Sequence, residues 1–180
     1  MGAMDSKNPI EAKSREMLDA LGKVVMNGRA LEVVVHQVLA GFISADKPVA
    51  NVVATGPLER QLSDLRSIAK VADLSEATRA ALVSWLKDVQ QAKDARNGVI
   101  HTAWAMGEDG AESDLTKGHI VSSANVASLQ YVRATVSKLY AALTDGSEMT
   151  VLLASEDAWH GPAITRHGSA VDLRDGEIRN

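Results

Sequence analysis

The sequence predicts an all-α protein, an antiparallel helical bundle of four to five helices with a candidate short β-hairpin insertion near residues 102–121. Three observations predict it. Apolar residues recur at steps of three and four through most of the chain, the spacing that lines one face of a helix. Helix-start signals precede these stretches. The connections between them are short, which places successive helices side by side.

The first helix opens at Asn8-Pro9-Ile10-Glu11, an N-cap, a proline at the first helical position and a capping-box acid. Its stripe is Ile10, Met17, Leu21, Val24, Leu31, Val35, Val38 and Phe42. A helix of that extent runs roughly 50 Å at 1.5 Å per residue, with Gly22 and Gly28 as points where it could kink or split. So long a stripe predicts packing against several helices or a second chain. Residues 44–56 read as loop. Pro57 and Glu59 restart a helix carrying Leu58, Leu62, Leu65, Ala69 and Ala72.

Ser75-Glu76 caps the next helix, whose stripe is Leu82, Trp85, Val89 and Ala92. Beyond it, Thr102 to Met106 and Leu115 to Val121 flank the turn-rich Gly107-Glu108-Asp109-Gly110, either a hairpin or an irregular loop. The last long helix begins near Ser123 or Asn125 and carries Val126, Leu129, Val132, Val136, Leu139 and Leu143. The chain divides into a flexible N-terminus over 1–8, a helical bundle over 9–145 and an irregular tail over 146–180, in which Val151 to Leu153 could add one short element.

Composition bounds the function. The chain has 180 residues, 46% hydrophobic and 23% charged, and 19 Lys+Arg against 23 Asp+Glu give a net charge of −4. That balance argues against a polybasic protein holding nucleic acid by bulk charge, and leaves room for a local basic site. With no cysteine, thiolate chemistry and Cys-ligated metals are excluded. No apolar run is long enough for a membrane span and no signal core opens the chain, so a cytoplasmic location without membrane partners is expected. Met1 to Ser6 matches a loose myristoylation pattern, but Gly2-Ala3 reads as a cloning leader ahead of Met4.

No glycine-rich dinucleotide loop, P-loop, nucleophile elbow or His-Glu-x-x-His occurs, and no cofactor or metal is expected. His160 and His167, with Asp157 and Asp172 nearby, lack a spacing that sets metal geometry. His36 reads as a core or edge histidine, and His119 has no evident partner. Arg133 and Lys138 read as solvated charges.

One constellation holds chemistry: Arg96-Asn97-Gly98-Val99-Ile100-His101. Trp85, Val89, Ala92 and Arg96 are spaced 4, 3 and 4, so Arg96 continues a buried stripe. A guanidinium cannot shed its charge, so there it needs an anion or acceptors. Asn97 adds a donor and an acceptor, Gly98 weakens the helix, and His101 can exchange a proton near neutral pH. An arginine that stabilises charge on phosphorus and a histidine that moves a proton suffice for metal-free phosphodiester cleavage. Five residues apart, Arg96 and His101 point about 140° from each other on an ideal helix. Either the helix breaks at Gly98, or a symmetric second copy completes the cleft across an interface on the long apolar stripe.

Arg96-Asn97-x-x-x-His101 at a helix end resembles the R-N-x-x-x-H signature of HEPN domains. Leu21-Gly22, Ala30-Leu31-Glu32, Leu62 to Leu65 and Trp104 agree in kind, and the resemblance spans residues 10–143. It implies an all-α, usually homodimeric, metal-independent endoribonuclease of the kind found in toxin–antitoxin, abortive-infection and CRISPR-associated defence. RNA is then the substrate, and an antitoxin or other regulator a candidate partner. Arg96 and His101 would be catalytic, and Asn97 would position the site or the RNA. Lys93, one turn before Arg96, is a candidate phosphate contact, and Trp104 either closes the core or stacks a base. Two rivals remain: an Arg–Asn–His network that only ties the helix end to its neighbours, and a non-catalytic RNA- or nucleotide-binding or dimerisation module.

Overall fold

The computed structural model describes residues 9–44, 46–100, 104–106, 112–114, 129–161, 163–164 and 170–171. Among these residues, five helices form the expected all-α bundle: α1 (Pro9–Ile43), α2 (Lys47–Ala54), α3 (Leu58–Val71), α4 (Glu76–Ile100) and α5 (Leu129–Leu153). Two small antiparallel ladders accompany them, β1 (Trp104–Met106) with β2 (Glu112–Asp114), and β3 (Ala163–Ile164) with β4 (Ala170–Val171).

α1 runs unbroken through Gly22 and Gly28 for 35 residues. Of its predicted stripe, Met17, Val24, Leu31, Val35 and Val38 are buried within this one chain, and Leu21 and Phe42 are half-buried against the same core. That stripe is therefore taken up by the chain's own helices, and does not form an interface with a second copy.

Residues 44–56 are not all loop. Asp46 caps α2 by accepting the Val49 N–H at 3.3 Å, with Pro48 in the first turn. Proline and three valines hid this short helix, because only Ala50 and Ala54 are buried and no longer period develops. α2 carries the chain back, so that α3 begins beside the middle of α1.

α4 runs antiparallel to α3, with Lys93 paired to Glu59 and Arg66 donating to Gln90 at 3.0 Å. It is antiparallel to α5 as well, since Trp85 meets Ala142 while Gly98 meets Tyr131. The Ser75 cap is confirmed: its Oγ accepts the Thr78 N–H at 3.2 Å. α1 and α5 lie parallel, linked by Glu16–Arg133 near one end and Val34–Gly146 further along.

The bundle extends past the expected boundary at 145, as α5 continues through Asp145-Gly146 to Leu153. Gly146 is a packing position there: a Cβ on it would stand 2.9 Å from Val34 and 3.1 Å from Trp85. Trp85 Nε1 donates to the Ala142 carbonyl at 2.9 Å, so the indole lies flush against α5. After the helix, Trp159 turns back into the core at 0% exposure and donates to the Val38 carbonyl at 3.2 Å. Gly41 leaves the space for its ring. A short hairpin forms at the expected place, but its second arm is Glu112–Asp114, Trp104 pairing with Asp114 and Met106 with Glu112, in place of the expected arm from Leu115 to Val121. Its expected turn, the segment 115–121, the start of α5 before 129 and the N-terminus 1–8 lie outside the described residues.

Candidate functional site

Arg96 sits where the stripe of α4 places it, three turns beyond Trp85 and half-buried. The anion its position demands is Glu32 of α1. Arg96 Nη1 lies 3.3 Å from Glu32 Oε1, while Glu32 Oε2 accepts from Arg29 Nη1 at 2.9 Å. One half-buried carboxylate thus holds two guanidiniums. A salt bridge of this burial fixes geometry more surely than it adds stability, because desolvation offsets much of the attraction.

The approach of α4 to α1 depends on Gly28. A Cβ at that position would stand 2.8 Å from Arg96 Nε and 3.0 Å from its Cδ. The same Nε is buried and has no hydrogen-bond partner among the described residues. A donor in that state is costly unless something else uses it. The group is a fixed cation against α1, with a carboxylate beside it that a phosphate would have to displace.

α4 does not break at Gly98. It continues to Ile100, one residue short of His101. Gly98 is again a point of close approach, where a Cβ would lie 2.8 Å from the Tyr131 hydroxyl. His101 and His119 lie outside the described residues, as do His167 and Asp172. Asn97 is half-buried beside Arg96. Lys93 is drawn away to α3 by Glu59, with Asp94 also 3.7 Å from its Nζ. Trp104 is described only by its backbone in β1. Among the described residues, no group of three or more His, Cys, Asp or Glu could hold a metal ion. No helix among them is long and apolar enough to cross a membrane.

Sequence reading passed over Arg29, Glu32 as a charged group and Gln61, and took His36 as a core or edge histidine. They share a cleft between α1 and the start of α3. Part of the signal was present, since positions 29, 32 and 36 are spaced 3 and 4 and so share a face of α1. Gln61 gave no such signal, as it sits beside Leu62 within an apolar stripe. Comparison of the chain with protein-family models, curated proteins and solved structures finds no match.

Proposed function

We propose that this protein is a metal-independent endoribonuclease that acts as a homodimer. The observation that supports the reading best is the half-buried Arg96, held by Glu32 at the end of α4 with its Nε unpartnered, one turn ahead of a histidine. In this reading the ribose 2′-OH attacks its own 3′-phosphate, and the P–O5′ bond breaks. His101 moves a proton between these oxygens, and Arg96 stabilises the charge that gathers on phosphorus. The products are a 2′,3′-cyclic phosphate and a 5′-OH. A role in a toxin or phage-defence system, with an antitoxin as partner, follows from the HEPN resemblance.

The reading is tested by incubating a mixed RNA pool with wild type and His101→Ala in EDTA. Fragments ending in cyclic phosphate from wild type, reduced about 10²–10⁴-fold in the variant, support it. Equal background from both overturns it. The Arg96–Glu32 pair itself favours a second reading, a non-catalytic binding module in which the pair ties α4 to α1. Arg96→Ala would then lower the melting temperature with no cleavage to lose.

A further inference from the structure

A groove of about 650 Å³ runs between the antiparallel α3 and α4, and the residues that line it come from these two helices alone. From Arg79 to Gln91 it follows α4 for about 18 Å at 1.5 Å per residue. A trough of that shape between two helices is a surface on which a third helix packs.

Its charge is of one sign. Arg66 and Lys70 from α3 and Arg79 and Lys87 from α4 line it, and no acid does among the described residues. The two arginines are held in place. Arg66 donates to Gln90 Oε1 across the groove at 3.0 Å, and Arg79 donates to the carbonyls of Ala69, Ala72 and Leu74 where α3 ends. Lys70 and Lys87 are exposed and stand in no ion pair among the described residues. Nearby acids are engaged elsewhere: Glu59 and Asp64 pair with Lys93 and Arg60, and Asp94 stands past the end of the groove between Gln90 and Lys93. Asp88 lies toward α5, where its charge acts on Asp145. A chain of net charge −4 thus gathers four cations along one trough.

Between the cations the groove is apolar. Val83 is 54% exposed, Ala69 and Leu86 close the floor, and the methylene stems of Lys70 and Lys87 offer apolar surface below their charges. None of the lining residues is aromatic, so the groove has no stacking platform for the bases of a single strand.

We infer that this groove docks an acidic amphipathic helix of a partner protein. Apolar residues three and four apart on that helix pack on Val83 and the floor. Its flanking carboxylates meet Lys70 and Lys87, with Arg66 and Arg79 at the two ends. Charge complementarity selects such a partner and steers its approach. The inference is independent of the proposed nuclease, since Arg96 reaches α1 and does not line the groove.

The test is an NMR titration of the full chain with a helical peptide of about 15 residues, leucines three and four apart and glutamates flanking them. Saturable shifts should centre on Arg66, Lys70, Val83 and Lys87, and about 0.5 M salt should weaken binding roughly tenfold by screening. A peptide with lysine for glutamate, or one with the leucines spread around the helix, should not bind. The double variant Lys70→Glu, Lys87→Glu should keep its melting temperature and its RNA cleavage while losing about tenfold or more in peptide affinity. Val83→Glu gives a second check at an exposed apolar position and should weaken the peptide likewise. No saturable binding at millimolar peptide, equal affinity for a control peptide, or full affinity in both variants overturns the inference. An RNA oligonucleotide that shifts the same residues and loses affinity in the double variant identifies a nucleic-acid track instead. Self-association of the chain that the double variant abolishes identifies a second copy, and either result overturns the partner helix.

Discussion

Arg96 of α4 lies directly over Gly28 of α1, so close that a single added methyl would meet its Nε at 2.8 Å. The absence of a side chain at residue 28 is what lets the guanidinium reach Glu32. Gly28→Ala should therefore displace Arg96 from its carboxylate. Alanine favours helix over glycine by about 1 kcal/mol, so the melting temperature should hold or change little. RNA cleavage should fall by an expected tenfold or more. Unchanged cleavage in a folded Gly28→Ala protein would mean that the placement of Arg96 is irrelevant to function.

Two carboxylates should give the fold opposite responses to acid. Hydrogen bonds from Thr78 and Ser75 hold Glu156 below its ordinary value of 4.5. Its carboxylate accepts the Ser75 hydroxyl at 2.7 Å and backbone N–H at 3.2 Å, at the N-terminus of α4. A lowered folded-state pKa contributes stability above 4.5 that is lost as pH falls through the folded value. Glu156→Gln should therefore destabilise at neutral pH and converge with wild type in acid.

Asp145 has the reverse sign. Burial first, then the charges of Glu148 and Asp88, raise it above its ordinary 3.8. Its ionised form opposes folding, so stability is gained as pH falls through the raised value. Asp145→Asn should stabilise at neutral pH by roughly the 0.2–0.5 kcal/mol of one like-charge helix pair, with no effect below 3.8. Thermal melts from pH 3 to 7 check both signs.

Among the described residues, Trp159 is the largest fully buried side chain, and it stands outside the five helices. It joins the segment after α5 to α1 through the Val38 carbonyl, and His160 N–H adds a bond to Gly41 O at 2.8 Å. Trp159→Ala should cost about 3–5 kcal/mol, read from denaturant midpoints. A cost below 1 kcal/mol would show that this segment is dispensable.

With the predicted stripe of α1 buried inside the chain, a homodimer needs another surface. Leu18, Val25, Met26 and Val33 leave an exposed apolar line along α1, with open space over Gly22. Met26→Glu should convert a dimer to a monomer by light scattering without lowering helicity. A wild type that is already monomeric removes the two-copy site.

The sequence by itself determined the helical class, four of the five helices, the cap at Ser75 and the demand of Arg96 for an anion. These are local properties: periodicity, capping chemistry and a charge that cannot be discharged are written in neighbouring residues. Tertiary structure alone decided the rest. Gly98 and Gly146 read as helix breakers from propensity, yet both lie within helices where Tyr131 or Trp85 comes too close for a side chain. Glu32 as the partner of Arg96 and Trp159 as core depend on which surfaces meet across 64 and 121 residues of chain. Contact at that range follows from packing the helices together, and no spacing along one helix encodes it.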